Sequence, residues 1–225
     1  MPESSSLPHN YLVIEGNIGA GKTTLSRRLA QDYGRRLILE EFADNPFLPR
    51  FYREPARYAF PVELFFMAER HKQLQEELAR PELFSGGVVG DYIFEKTRLF
   101  ARNSLNDEEF RLFNRLYGVM SAGIPPPDLL VYLHRPLPAL RANIDCRGRT
   151  FETDIPDDYL ESVQRAYLEY FRTQGEVPVL LLDLGDRDFQ REEAAYRAIV
   201  TLLHKTYPPG LHRVDLRAQP SGNPD

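Results

Sequence analysis

The octapeptide Gly16-Asn17-Ile18-Gly19-Ala20-Gly21-Lys22-Thr23 restricts this chain more than any other stretch, because it is a complete GxxxxGK[ST] pattern. It follows the apolar run Tyr11–Ile14 and opens a helical pattern, so a strand, a glycine-rich turn and a helix are predicted in that order. Such glycines let consecutive backbone N–H groups point into one concavity. The helix N-terminus adds positive potential to it, which suits phosphate. Residues 16–24, that is Gly16, Asn17, Ile18, Gly19, Ala20, Gly21, Lys22, Thr23 and Thr24, are therefore the expected nucleotide-binding segment. Lys22 is expected on the outer phosphates, and the Thr23 hydroxyl on Mg²⁺. ATP or GTP is the expected ligand.

The rest of the chain predicts the architecture around that loop. Apolar runs at Leu37–Leu39, Gly87–Gly90, Leu129–Leu133 and Val177–Leu182 join Tyr11–Ile14 as candidate strands. Helical patterns lie between them, at about 22–33, 56–80, 107–121, 136–145, 157–173 and 187–206. All-apolar strands alternating with helices predict an α/β domain with a doubly wound parallel sheet flanked by helices. The domain is expected over 10–215, with the polar stretches 1–9 and 216–225 as disordered tails.

A net charge of −5 argues against a general binder of nucleic-acid polymers or anionic membranes. The one cysteine, Cys146, rules out an intrachain disulfide and a cysteine-based zinc site. No basic segment followed by an apolar run opens the chain, and its apolar runs are too short to span a bilayer, so a cytoplasmic protein is expected. A phosphate loop alone serves switches, motors and kinases alike. The guanine-reading N-K-x-D pattern of a switch is missing, and the chain is short for a motor. A small nucleotide or metabolite kinase remains.

Five motifs in order then resemble the deoxynucleoside kinase family, especially its bacterial purine branch, over residues 11 to about 190. They are Glu15–Thr24 (EGNIGAGKTT), Glu40–Leu48 (EEFADNPFL), the helix carrying Phe51-Tyr52, Tyr58-Ala59-Phe60 and Arg70, the segment Asp91–Glu95 (DYIFE), and Arg147–Glu152 (RGRTFE). The resemblance implies a P-loop kinase with a short Arg-rich lid, acting as a homodimer on a deoxynucleoside with ATP and Mg²⁺. It implies Glu40 as general base at the acceptor 5′-hydroxyl. Side chains alternate along a strand, so only one of Glu40 and Glu41 should face the site, and Glu40 fits the count back from Asn45-Pro46. Arg147 and Arg149 would neutralise charge on the transferring phosphoryl group. Glu152 and Tyr52 would hold the sugar 3′-hydroxyl, and Phe189 is expected either against the adenine of ATP or in the core.

Asp91 ends a strand and is expected to hold Mg²⁺ together with Thr23. After it, however, Tyr92 and Ile93 replace the family's Arg and Ser, and Lys96 and Arg98 are the nearby cations that could take over. Glu63, eleven residues after Tyr52, stands where the family commonly has a base-reading Gln. Arg70 lies two helical turns further, on the same face. An ionised Glu offers acceptors only, which match the N1–H and N2–H₂ of guanine. A purine deoxynucleoside is expected, deoxyguanosine before deoxyadenosine. Two other readings stay open: a thymidylate-like nucleoside-monophosphate kinase, with Arg50, Arg53 and Arg57 near the acceptor loop, and a non-catalytic nucleotide-binding switch.

Overall fold

The apolar runs pair as parallel strands: β1 (Tyr11–Gly16), β2 (Arg36–Ile38), β3 (Val88–Gly90), β4 (Leu129–His134), β5 (Pro178–Asp183) and β6 (Gly210–Asp215). This computed structural model describes residues 6–40, 45–51, 53–80, 86–149, 152 and 155–217. Among them the sheet has the order β2-β3-β1-β4-β5-β6 with every pairing parallel. All six residues of β1 are buried, as a central strand covered on both faces requires.

Alternation along β1 divides the core. Tyr11 and Val13 face a layer with Val62 and Met67 of helix α3 (Pro55–Leu78), Ala101 of α4 (Lys96–Ser104), Phe113 of α5 (Asp107–Ser121) and Tyr167 of α7 (Asp157–Thr173). Leu12 and Ile14 face Leu25 of α1 (Lys22–Tyr33) and Ile199 of α8 (Glu193–Leu203). The short α2 (Leu48–Phe51) and α6 (Leu137–Arg147) flank the site. Helix α5 starts where its sequence says it should. The Asn106 side chain accepts from Glu108 N and Glu109 N at 3.0 Å, and Glu109 returns a carboxylate oxygen to Asn106 N at 3.3 Å. Such a cap is worth about 1 kcal/mol.

The structure departs from the sequence reading in five places, the first being the short helix α2, which was not predicted. Strand β6 was not predicted, because its sequence GLHRVD is only partly apolar and the strand is a half-exposed edge. Helix α4 was not predicted either. The last helix starts at Glu193 instead of about 187, since Glu192 closes a turn on Asp188, with Glu192 N donating to Asp188 O at 2.7 Å. Leu7, His9 and Leu216, placed in tails by the sequence, are buried at 4, 5 and 1 % exposure.

Candidate active site

Strands β1, β2 and β3 release their loops at one sheet edge, and the order of connection reverses around β1. Ligands of open α/β sheets settle in the crevice at such a reversal. A cavity of about 460 Å³ opens there, bordered by Lys22, Glu40, Glu63, Asp91, Arg147 and Glu152. The phosphate loop is its floor. Gly19 and Gly21 have φ of +80° and +95°, and a Cβ on Gly19 would stand 2.5 Å from Leu140 O. Only glycine satisfies both demands. Asn17 ties the loop to α7 by donating to Leu160 O at 2.7 Å, and Asn143 donates to Gly19 O at 2.7 Å. Lys22 Nζ rests on Gly16 O and Asn17 O at 2.9 and 3.0 Å. Burial first, and then the charge of Lys96, push the Lys22 amine down to about 8.

Beside the loop stands a network that the sequence only partly foretold. Arg70 Nε and Nη2 donate to Glu40 Oε1 at 2.8 and 2.6 Å, and Arg70 Nη1 donates to Thr97 at 3.0 Å. Lys96 Nζ donates to the other oxygen, Glu40 Oε2. Burial opposes ionisation of Glu40, but Lys96 and Arg70 outweigh it and hold the carboxyl far below its usual range. Asp91 bridges two elements: its Oδ1 accepts from Glu40 N at 2.7 Å and its Oδ2 from the Thr23 hydroxyl at 2.6 Å. Thr23 and Asp91 thus offer hard oxygen donors side by side at the mouth of the loop. That donor set fits Mg²⁺, which commonly takes one or two protein oxygens and completes its shell with phosphates and water.

At the opposite wall α6 ends in a left-handed Gly148, and the chain turns back so that Arg147 and Arg149 both reach Glu152 Oε1, at 3.5 and 3.2 Å. Glu152 is 5 % exposed, and its Oε2 has no partner among the described residues. Burial lowers the Arg147 guanidinium, with Glu152 opposing the effect. Glu63 is 2 % exposed in the wall of the same cavity. Its burial, against the partial relief from Arg70, pushes the carboxyl up to about 7.

The structure narrows the reading of two residues. Arg70, which the sequence puts on the Glu63 face of its helix, donates to Glu40 and Thr97. Phe189 is 1 % exposed beneath the phosphate loop, 2.9 Å from where a Gly21 Cβ would stand, so it belongs to the core and presents no face to a nucleotide. Tyr52 and Glu41 lie outside the described residues. Sequence reasoning also passed over two supports. Glu15, fully buried, accepts from Gly16 N, Ile93 N and the Tyr167 hydroxyl, at 2.9 to 3.1 Å. Arg135 donates to Ala20 O at 3.2 Å and lies over the Phe189 ring at 5.6 Å. A charged residue at the end of an apolar strand was the available signal for both.

A glycine-rich loop at a helix N-terminus, a strand-ending Asp on its Thr, and an Arg-bearing lid over one cavity define a P-loop kinase. Residues 12–207 match the deoxynucleoside kinase family model. The chain belongs to the deoxynucleoside kinase family, whose members transfer a phosphoryl group to a deoxynucleoside. It is 32 % identical to a deoxyguanosine kinase of Bacillus subtilis, over 84 % of this chain and 93 % of that protein. It is 31 % identical to a deoxyadenosine/deoxycytidine kinase of the same organism, over 86 % and 92 %. The deoxyadenosine kinase structure from M. mycoides with bound dATP shares the fold. Its TM-score is 0.74 at 21 % identity, over 87 % of this chain and all of that one.

Proposed function

We propose that the cavity transfers the γ-phosphoryl group of ATP to the 5′-hydroxyl of a purine deoxynucleoside, in nucleotide salvage. The observation that carries this reading is the joint presence of Glu40, Lys22 and the Thr23–Asp91 pair in one cavity. This supports an ionised carboxylate, a phosphate-seeking ammonium and a pair of hard oxygen donors acting on one reacting centre. Mg²⁺ held by Thr23 and Asp91 would supply charge neutralisation between the phosphates. Glu40 accepts the 5′-hydroxyl proton as the new P–O bond forms and the bond to ADP breaks. Lys22 exchanges the Gly16 and Asn17 carbonyls for phosphate oxygens. Arg147 and Arg149 turn from Glu152 to the charge developing on the transferred group. Glu152 Oε2, without a described partner, then suits the sugar 3′-hydroxyl, with Tyr52 as the expected companion.

Glu63 is left to read the base. The names of the relatives above, one a deoxyguanosine kinase and the other a deoxyadenosine/deoxycytidine kinase, each include a purine and so support a purine acceptor. The monophosphate-kinase alternative loses support, because Arg50, Arg53 and Arg57 are exposed and none borders the cavity. Among the described residues no helix is long and apolar enough to cross a membrane, in keeping with a cytoplasmic location. A homodimer fits the exposed stripe Leu112, Leu116 and Val119 on α5 better than the Phe-bearing helix α3, whose Phe66 borders the cavity. The direct test is competition among the four deoxynucleosides and their 5′-monophosphates with ATP and Mg²⁺. Deoxyguanosine leading and deoxyadenosine second is expected; preference for any monophosphate, or for thymidine, refutes the reading.

A further inference from the structure

We propose that Lys96 is the positioning residue for the acceptor base. Its ammonium clamps the Glu40 oxygen that Arg70 leaves open, and so aims the carboxylate at the acceptor hydroxyl. The inference rests on the phosphoryl-transfer reading and adds a residue to it.

Lys96 sits where a lysine is least comfortable. Its side chain is 7 % exposed, and it is the first residue of α4, where the helix dipole disfavours a cation. An ammonium held against both burial and dipole needs a strong partner, because removing it from water costs several kcal/mol. Glu40 Oε2 is that partner, and the ring of Phe100 lies 5.4 Å away. The two cations divide the carboxylate between them. Arg70 takes Oε1 through two N–H groups and Lys96 takes Oε2, so both oxygens are fixed and rotation about the last side-chain bond is blocked. A general base works from a defined position within hydrogen-bond reach, and displacement by about 1 Å can cost a hundredfold in rate.

Among the described residues no other cation donates to Glu40 Oε2. Tyr92 and Ile93 stand where the motif resemblance expects Arg and Ser, and both point elsewhere. Tyr92 is fully buried, with its hydroxyl donating to Gln73, and Ile93 is 3 % exposed in the core, its N–H donating to Glu15. Arg98, the other candidate, lies over the Tyr117 ring at 5.4 Å on the far side of α4 from Glu40. The positive charge missing from the turn after Asp91 is thus supplied one helical turn later.

Lys96→Met tests this in a full chain that still binds substrate. We expect kcat to fall about a hundredfold while the deoxynucleoside Kd, measured by calorimetry without ATP, stays within about threefold. In a Glu40→Gln background the same change should cost less than about threefold, since the groups act as one unit. For a readout that does not depend on Lys96→Met folding, Lys96→Cys is made in a chain whose exposed Cys146 is replaced by Ser. Alkylation with 2-bromoethylamine then rebuilds an ammonium at the same reach and should restore kcat at least about tenfold. A Lys96→Met kcat within threefold of wild type overturns the proposal. So does an equal loss in the Glu40→Gln background, which would put Lys96 on the phosphates, and so does complete aminoethylation without rescue. Undiminished kcat in Glu40→Gln alone would overturn the assignment of the base itself. A Glu40→Gln loss without a Lys96→Met loss overturns only the role of Lys96.

Discussion

Glu63→Gln should change both the stability and the base choice of the enzyme, and both changes should depend on pH. Glu63 is 2 % exposed, and Arg70 is committed to Glu40 and Thr97. Burial therefore dominates and raises the carboxyl from 4.5 to about 7. Between those values the native chain binds a proton that the unfolded chain releases, so stability falls as pH rises. The contribution is complete below pH 4.5 and lost as pH passes through 7. One pH interval is worth about 1.4 kcal/mol, so the ligand-free wild type should lose about 3 kcal/mol relative to Glu63→Gln across the window. Urea unfolding of both proteins from pH 5 to 8.5 measures it directly. The functional counterpart follows from hydrogen-bond chemistry. Protonated Glu63 donates and accepts, as Gln does, and matches adenine; ionised Glu63 only accepts, and matches guanine. The deoxyadenosine-to-deoxyguanosine ratio of kcat/KM should drop about tenfold from pH 6 to pH 8 in the wild type, the worth of one hydrogen bond, and stay flat in Glu63→Gln. A stability difference independent of pH, together with an unchanged base ratio, would show that Glu63 neither titrates in this range nor reads the base.

Lys22→Ala should leave the fold intact by circular dichroism and lower kcat by about three orders of magnitude or more; near-normal transfer by the folded variant would remove the phosphate-loop assignment. Arg147→Ala and Arg149→Ala should each reduce kcat about tenfold to a hundredfold with little change in deoxynucleoside Kd measured without ATP. Normal turnover with lowered Tm would make the segment structural only. The proposed homodimer should be seen in light scattering and become a monomer in Leu116→Asp; a variant that stays dimeric would put the interface elsewhere, and a monomeric wild type would remove the dimer.

The parts of the site written in contiguous residues were legible in the sequence. Gly16–Thr23 carries its own turn chemistry, and Asn106 with Glu109 marks the start of α5 within the residues themselves. The pairing of Glu40 with Lys96 was not legible, since it joins residues 56 apart and depends on β2 and β3 being neighbours. Lys96 and Arg98 were equivalent as letters; the turn of α4 separates them, one toward Glu40 and one toward Tyr117. Phe189 stayed undecided for a related reason: a loop aromatic near a nucleotide and a core aromatic look alike until burial is known. Strand β6 escaped because an edge strand buries only part of its surface, and its Arg213 and Asp215 stay exposed.

In the proposed reaction Glu40 and the phosphate loop join a hydroxyl acceptor to the γ-phosphoryl group of ATP in one cavity. Incubation of the purified chain with deoxyguanosine, Mg²⁺ and ATP labelled at the γ-phosphate with ¹⁸O, followed by mass spectrometry, tests it most directly. Labelled 5′-deoxyguanosine monophosphate is expected in step with ADP, strongly reduced in Glu40→Gln. Label found only in inorganic phosphate, or only in a product made from deoxyguanosine monophosphate, would contradict it.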